Sequence, residues 1–102
     1  MRSVPHPTPD DLRLPIVLHA LSDPVRLDIV GRLASAGEEC ACGALCQSVS
    51  KSTLSHHLKV LREAGITRTR ANGTHRLVSL REAELEQRFP GLLGSVLGAV
   101  QT

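Results

Sequence analysis

Aromatic residues are nearly absent: Phe89 is the only one, and the chain has neither Trp nor Tyr. Any core must therefore be aliphatic. The same absence argues against a partner of single-stranded nucleic acid, whose bases are usually held by stacking on aromatic rings. Cysteine is scarce and odd in number, three in all. With no signal peptide before it, that points to a reducing, cytoplasmic setting rather than a disulfide framework. No apolar run approaches the roughly 18–20 residues that span a bilayer, so no membrane partner is expected. CxxC, a glycine-rich phosphate loop and a Ser/His/Asp set in a suitable context are all missing, and an enzyme is not expected. Repeats and low-complexity tracts are missing too. A chain of 102 residues makes one domain, with a modest core that a partner chain would help to complete.

What is present concentrates between Ser50 and Arg81: SKSTLSHHLKVLREAG, then ITRTRA, NG, THRLVSL and Arg81. Ser50 suits an N-cap and Gly65 a C′ position, which predicts one capped helix between them. Leu54, Leu58 and Leu61 recur at i, i+4 and i+7, a stripe that faces a core. At about 100° per residue, Ser52, His56, Lys59 and Glu63 fall on the far side, with Thr53, Ser55 and Arg62 on the flanks. Ser52, His56 and Lys59 are donors of the size that reads base edges or grips phosphates. His57 lies roughly 60° from the centre of the leucine stripe, where a hydrogen-bonded packing residue is expected rather than a base reader. After Gly65 the apolar period changes to two. Asn72-Gly73 is then a strong hairpin signal, predicting a type I′ turn with positive φ at both residues. A donor-faced helix followed by a basic hairpin predicts a winged helix-turn-helix that binds double-stranded DNA.

Charge is segregated in the same way. From Lys51 to Arg81 there are seven basic residues (Lys51, Lys59, Arg62, Arg68, Arg70, Arg76, Arg81) against Glu63 alone, a net of +6 within a chain whose total is +2. The rest therefore carries −4, and the basic part is the expected footprint for a polyanion. An acidic protein partner on that face is the rival reading.

Around this stretch, residues 1–9 contain Pro5, Pro7 and Pro9 and read as a flexible N-terminal arm, with 10–102 as one domain. A first helix is expected from about Asp10 to Leu21, with Pro15 near its first turn. A second should start at Ser22-Asp23-Pro24 and stop at Gly37. A short third should begin near Cys42, a charged one should run from Arg81 to Arg88, and a last one should follow Pro90. The fold class is therefore mainly α with a small β-hairpin wing (α+β), with five or six helices. Leu92, Leu93, Val96, Leu97 and Val100 make an apolar stripe on the last helix. Gly91, Gly94 and Gly98 would weaken it in isolation, so it should pack against another surface, most naturally the same helix of a second subunit.

The residues LSDPVRLDIVGRL at 21–33, SKSTLSHHLKVLREAGI at 50–66 and NGTHRLVSL at 72–80 resemble the ArsR (ArsR/SmtB) family of bacterial repressors, over about Leu12 to Arg88. The resemblance implies a winged-helix homodimer on a palindromic operator, released on sensing a ligand. It also implies dimer contacts through the terminal helices, here Leu14, Val17, Leu18 and Leu21 with the stripe on the last. Lys51, Ser52, Thr53, Ser55, His56, Lys59 and Arg62 are the candidate DNA contacts on the helix. Arg68, Arg70, His75 and Arg76 are those on the wing, with Asn72 and Gly73 as turn formers.

Cys40, Cys42 and Cys46 look like the metalloid site of the family's arsenic-sensing branch. Three thiolates suit As(III) or Sb(III), or Cd(II), Pb(II) or Cu(I), as inducer rather than as a cofactor needed for folding. Cys42 and Cys46 share a helical face, and Cys40 joins them only if residues 39–41 are not regular helix. The third Cys follows the second by four residues here and by three in that branch. A thiol redox switch and plain packing are the alternative roles. The Asp and His ligands that zinc-, nickel- and cobalt-sensing members carry on the last helix have no counterpart: residues 81–102 hold no His, Asp or Cys. His6, with Asp10 and Asp11, is a remoter candidate ligand for the cysteines.

Overall fold

The computed structural model describes residues 6–45 and 48–100. After a single 3₁₀ turn at Pro9–Asp11, the chain forms α1 (Leu14–Leu21), α2 (Pro24–Ala36), β1 (Cys40–Ala41), α3 (Cys42–Leu45), α4 (Lys51–Glu63), β2 (Thr67–Asn72), β3 (His75–Leu80), α5 (Glu82–Arg88) and α6 (Leu92–Val100). The first regular helix is shorter than the sequence suggests. Pro15 occupies its first turn, where a missing N–H costs nothing, so the helix begins at Leu14 rather than Asp10. Asp23 caps α2 by accepting from the Val25 and Arg26 N–H groups at 2.8 and 3.1 Å, with Pro24 as its first residue.

The core is aliphatic. Val17, Ile29, Val30, Leu33, Leu45, Leu61, Ile66 and Val78 are essentially inaccessible, each contributing roughly 1.5–3 kcal/mol relative to exposure. The leucine stripe of α4 enters this core as its spacing predicts. Gly65 takes φ +85° at the end of that helix, and a Cβ there would lie 1.9 Å from Leu12 Cδ2. Both the left-handed backbone and the close approach of Leu12 require glycine.

The sheet has three strands in the order β1-β3-β2, all antiparallel. The strand β1, ahead of α3, is not among the elements expected from the sequence. It places Cys40 opposite Val78 and Ala41 opposite Leu77, so residues 40–41 are extended rather than helical. A second departure concerns the hairpin. Asn72 pairs with His75, leaving Gly73-Thr74 as the two central residues. Gly73 has φ +64° and no non-glycine residue among those described has a positive φ. That is the II′ pattern, with glycine first, rather than I′ centred on Asn72-Gly73. The observed register turns Thr67 and Thr69 inward and leaves Arg68 and Arg70 exposed.

Part of the expected dimer surface lies inside the chain itself. Val17 and Leu21 of α1 and Leu93 of α6 are buried in its own core, and Leu92, Val96 and Leu97 pack against that core. Leu14, Ile16, Leu18 and Val100 remain exposed.

Candidate nucleic-acid interface

Helix α4 is built to present its far side. Ser50 caps it, its hydroxyl accepting from the Thr53 N–H at 3.2 Å and donating to Thr53 Oγ1 at 2.9 Å. Along the outer face Ser52, Thr53, Ser55, His56 and Lys59 are all exposed, while Leu54, Leu58 and Leu61 are buried. His57 is buried as well. Its Nδ1 accepts from the Arg26 guanidinium at 3.2 Å, which places the ring proton on Nε2. Arg26 also donates from Nε to the Ala20 carbonyl at 2.6 Å. This buried arginine therefore ties the end of α1 and the start of α2 to the middle of α4, which sets the angle at which the helix is offered. Sequence reading missed it, because an arginine beside apolar neighbours on α2 reads as a solvated charge. Asp23 reinforces the same corner. Its carboxyl is held below the usual carboxylate range by the Arg26 backbone N–H, with the Val25 N–H adding to it and burial opposing.

On the wing, the basic residues divide by face. Arg68 and Arg70 lie on the outer face and are ion-paired. Arg70 grips both oxygens of Glu39 at 2.6 and 2.7 Å, and Arg68 reaches Glu84 at 3.2 Å. Glu39 is held low by its hydrogen bonds from Arg70. Arg81 is buried and bidentate on Glu84, so it is a structural residue rather than part of the basic surface. Thus three of the seven basic residues counted between Lys51 and Arg81 are ion-paired, sharing the two carboxylates of Glu39 and Glu84, both of which lie outside that stretch. Lys51, Lys59, His75 and Arg76 are exposed and Arg62 is half-buried.

Between α4 and the wing runs a cleft of about 430 Å³. Lys51, Ser55, Leu58 and Arg62 face it from one row of α4, and Thr69, His75 and Arg76 from the hairpin. Cys42 stands at its α3 side. Burial pushes the Cys42 thiol up, and the Arg76 guanidinium pulls it part of the way back.

Cys40 and Cys42 both pack against the core while remaining partly accessible. Cys46 lies outside the described residues, as do Met1 to Pro5. Among the described residues no group of three or more His, Cys, Asp and Glu side chains is placed to hold a metal ion. His6 is not near the cysteines' strand. Its Nε2 accepts from the Thr69 N–H at 3.1 Å on the free edge of β2. Desolvation lowers its pKa from the ordinary value, followed by the charges of Arg68, Arg81 and Arg62.

A capped helix with an exposed polar face, set beside a hairpin and oriented by buried contacts from two earlier helices, defines a winged helix-turn-helix DNA-binding regulator. Comparison with known proteins agrees. A helix-turn-helix domain model matches residues 21–70. The HTH-type transcriptional regulator YceK of Bacillus subtilis (strain 168) is 42% identical over 79 residues, which cover 76% of this chain and 79% of that one. The arsenical resistance operon repressor of Staphylococcus xylosus is 42% identical over 74 residues, covering 72% and 70%. The crystal structure of the transcriptional repressor BigR from Xylella fastidiosa superimposes with a TM-score of 0.66 at 34% identity, over 84% of each chain. The chain belongs to the ArsR family of winged-helix transcriptional repressors. It is a DNA-binding regulator and not an enzyme. No helix of the described residues is long and apolar enough to cross a membrane.

Proposed function

We propose that the chain binds a palindromic operator as a homodimer and leaves it when a soft metal or metalloid ion engages its cysteines. Base reading falls to Ser52, Thr53, Ser55 and His56 at the front of α4, and phosphate contact to Lys51, Lys59, Arg62, His75 and Arg76. Arg68 and Arg70 join them on the wing's outer face, where carboxylates compete for them. The exposed apolar residues Leu14, Ile16 and Leu18 of α1, with Val100, favour a second copy as partner. Sedimentation at micromolar concentration should give a dimer that Leu18→Asp weakens, and a wild-type monomer would contradict this.

The observation that carries the sensing half is the strand β1. The segment 39–42 touches both wing strands: Glu39 holds Arg70 of β2, and Cys40 and Ala41 pair with β3. Any rearrangement of Cys40 and Cys42 is therefore felt at the wing, a shorter route than one through the helix preceding α4. The donor set suits As(III), Sb(III), Cd(II), Pb(II) or Cu(I), since thiolates are soft ligands, and one 42% identical relative is an arsenical resistance operon repressor. Cys40 and Cys42 supply two thiols; Cys46 is the candidate third.

The test is operator affinity of the reduced protein, followed by fluorescence anisotropy during titration with As(III) or Cd(II). Affinity should fall by about 5- to 150-fold, the usual range of such couplings. Cys40→Ser and Cys42→Ser should abolish that response and leave ion-free binding unchanged. A loss of affinity with peroxide but not with either ion would replace ion sensing by a thiol redox switch. No response to any of them would make the cysteines packing residues.

A further inference from the structure

We infer that the cleft between α4 and the wing is a binding site for a tetrahedral oxyanion of the phosphate class, held by the Thr69 hydroxyl and the Arg62 guanidinium. Thr69 is only 6% exposed, yet its Oγ1 has no hydrogen-bond partner among the described residues. Arg62 Nε is likewise buried without a partner. Both residues line the same cleft. Buried donors of this kind are uncommon, because each one left unpaired costs about 1–3 kcal/mol. A hydroxyl and a guanidinium Nε on facing walls are complementary to an oxyanion, which offers acceptor oxygens in several directions.

The surrounding charge has the matching sign. Lys51 and Arg76 add positive charge to the lining, His75 stands beside them, and no carboxylate belongs to it. That contrasts with the wing's outer face, where Arg68 and Arg70 are met by Glu84 and Glu39. Two arginines on the same hairpin are neutralised by the protein, while the cleft keeps its positive charge. The register explains how the site arises. With Gly73-Thr74 as the turn, Thr69 pairs with Val78 and Ala71 with Arg76, so Thr69 and Arg76 share the face of the hairpin turned toward α4. From the helix, Lys51, Ser55, Leu58 and Arg62 recur at i, i+4, i+7 and i+11, one row along the opposite wall.

This inference rests in part on the proposed DNA contact, because a phosphodiester of the operator backbone and a free phosphate present the same oxygens. They are separated as follows. Reduced, isotope-labelled protein is titrated with inorganic phosphate, and with sodium chloride at matched ionic strength, while backbone amide resonances are followed. Saturable shifts at Gly43, Arg62 and Thr69 with phosphate and not with chloride are expected. Thr69→Val, which preserves shape and burial, should weaken phosphate about tenfold, the loss of one hydrogen bond to a charged acceptor. Arg62→Gln is the second variant should the valine protein fail to fold.

Operator affinity is then compared in phosphate and chloride at equal ionic strength. If phosphate competes with operator and Thr69→Val removes the competition, the cleft holds a backbone phosphate. Saturable phosphate binding without competition assigns it to a free oxyanion. Saturable phosphate binding in a protein that prefers no DNA sequence leaves the cleft standing and overturns the operator reading. A protein that prefers its operator, shows no phosphate-specific shifts and loses no affinity on Thr69→Val overturns the oxyanion site alone.

Discussion

Replacing Arg26 with Met would remove the contact on which the orientation of α4 depends. Arg26 is 8% exposed, donates to the Ala20 carbonyl at 2.6 Å and to His57 Nδ1 at 3.2 Å, and reaches the His19 carbonyl at 3.5 Å. Methionine fills much of the stem's volume and donates nothing. The Ala20 oxygen and His57 Nδ1 would then be buried acceptors without donors, each a loss of about 1–3 kcal/mol. Against this, a cation no longer has to be desolvated, an offset that for buried charges is often as large as one lost contact. The balance is a destabilisation of about 2–3 kcal/mol. Urea unfolding at one fixed protein concentration measures it, since any dimer makes stability concentration-dependent. In a double-mutant cycle with His57→Phe, the two losses should be non-additive by at least about 0.5 kcal/mol. A midpoint shift worth less than about 0.5 kcal/mol, or strict additivity, would refute the role given to this arginine.

The turn assignment predicts that Gly73→Ala costs about 1 kcal/mol through its positive φ alone, because no atom crowds the site, whereas Asn72→Ala stays within about 0.5 kcal/mol; equal losses at both would restore the I′ turn. His6 accepts from Thr69 only when neutral and its folded pKa is lowered from 6.5. Its docking contribution is therefore fully present above the unfolded value and lost as pH falls through the lower folded one. The protection factor of the Thr69 amide, taken relative to intrinsic exchange, should fall as acidification protonates the His6 ring, and protection that survives that protonation would contradict the contact. Glu39→Gln should free Arg70 for phosphate and steepen the slope of log affinity against log salt by about one unit, where an unchanged slope would show Arg70 to be uninvolved.

Much of this architecture is legible in the sequence because its signals are local. Ser50, Gly65, Asp23 and Pro24 act on their own backbone, and the Leu54-Leu58-Leu61 stripe reports its face by spacing alone. What escaped is non-local. The strand at Cys40–Ala41 exists only because β3 offers it an edge, and two residues show no period. Glu39 lies 31 positions from Arg70 and Glu84 lies 16 from Arg68, so a count of charges between Lys51 and Arg81 overstates the free positive charge. Arg26 and His57 meet across 31 positions. The turn at Asn72-Gly73 escapes for a subtler reason: the dipeptide favours I′, and a turn one residue later keeps the same side chains on each face, so the alternation along the strands does not separate the two registers. On α6 the spacing shows an apolar stripe but cannot tell the chain's own core from that of a partner.

The central claim is that the outer face of α4 reads operator sequence. Its most direct test compares binding of the reduced protein, at physiological salt, to DNA from upstream of its own coding region and to a scrambled duplex of equal length. Preference of about 10³ or more is predicted. Ser52→Ala and His56→Ala should relax it at particular positions of each half-site, while Lys59→Ala weakens both duplexes alike and flattens the salt slope by about one unit. Equal affinity for the two duplexes, or a Lys59→Ala protein that changes sequence preference with its salt slope intact, would contradict the account.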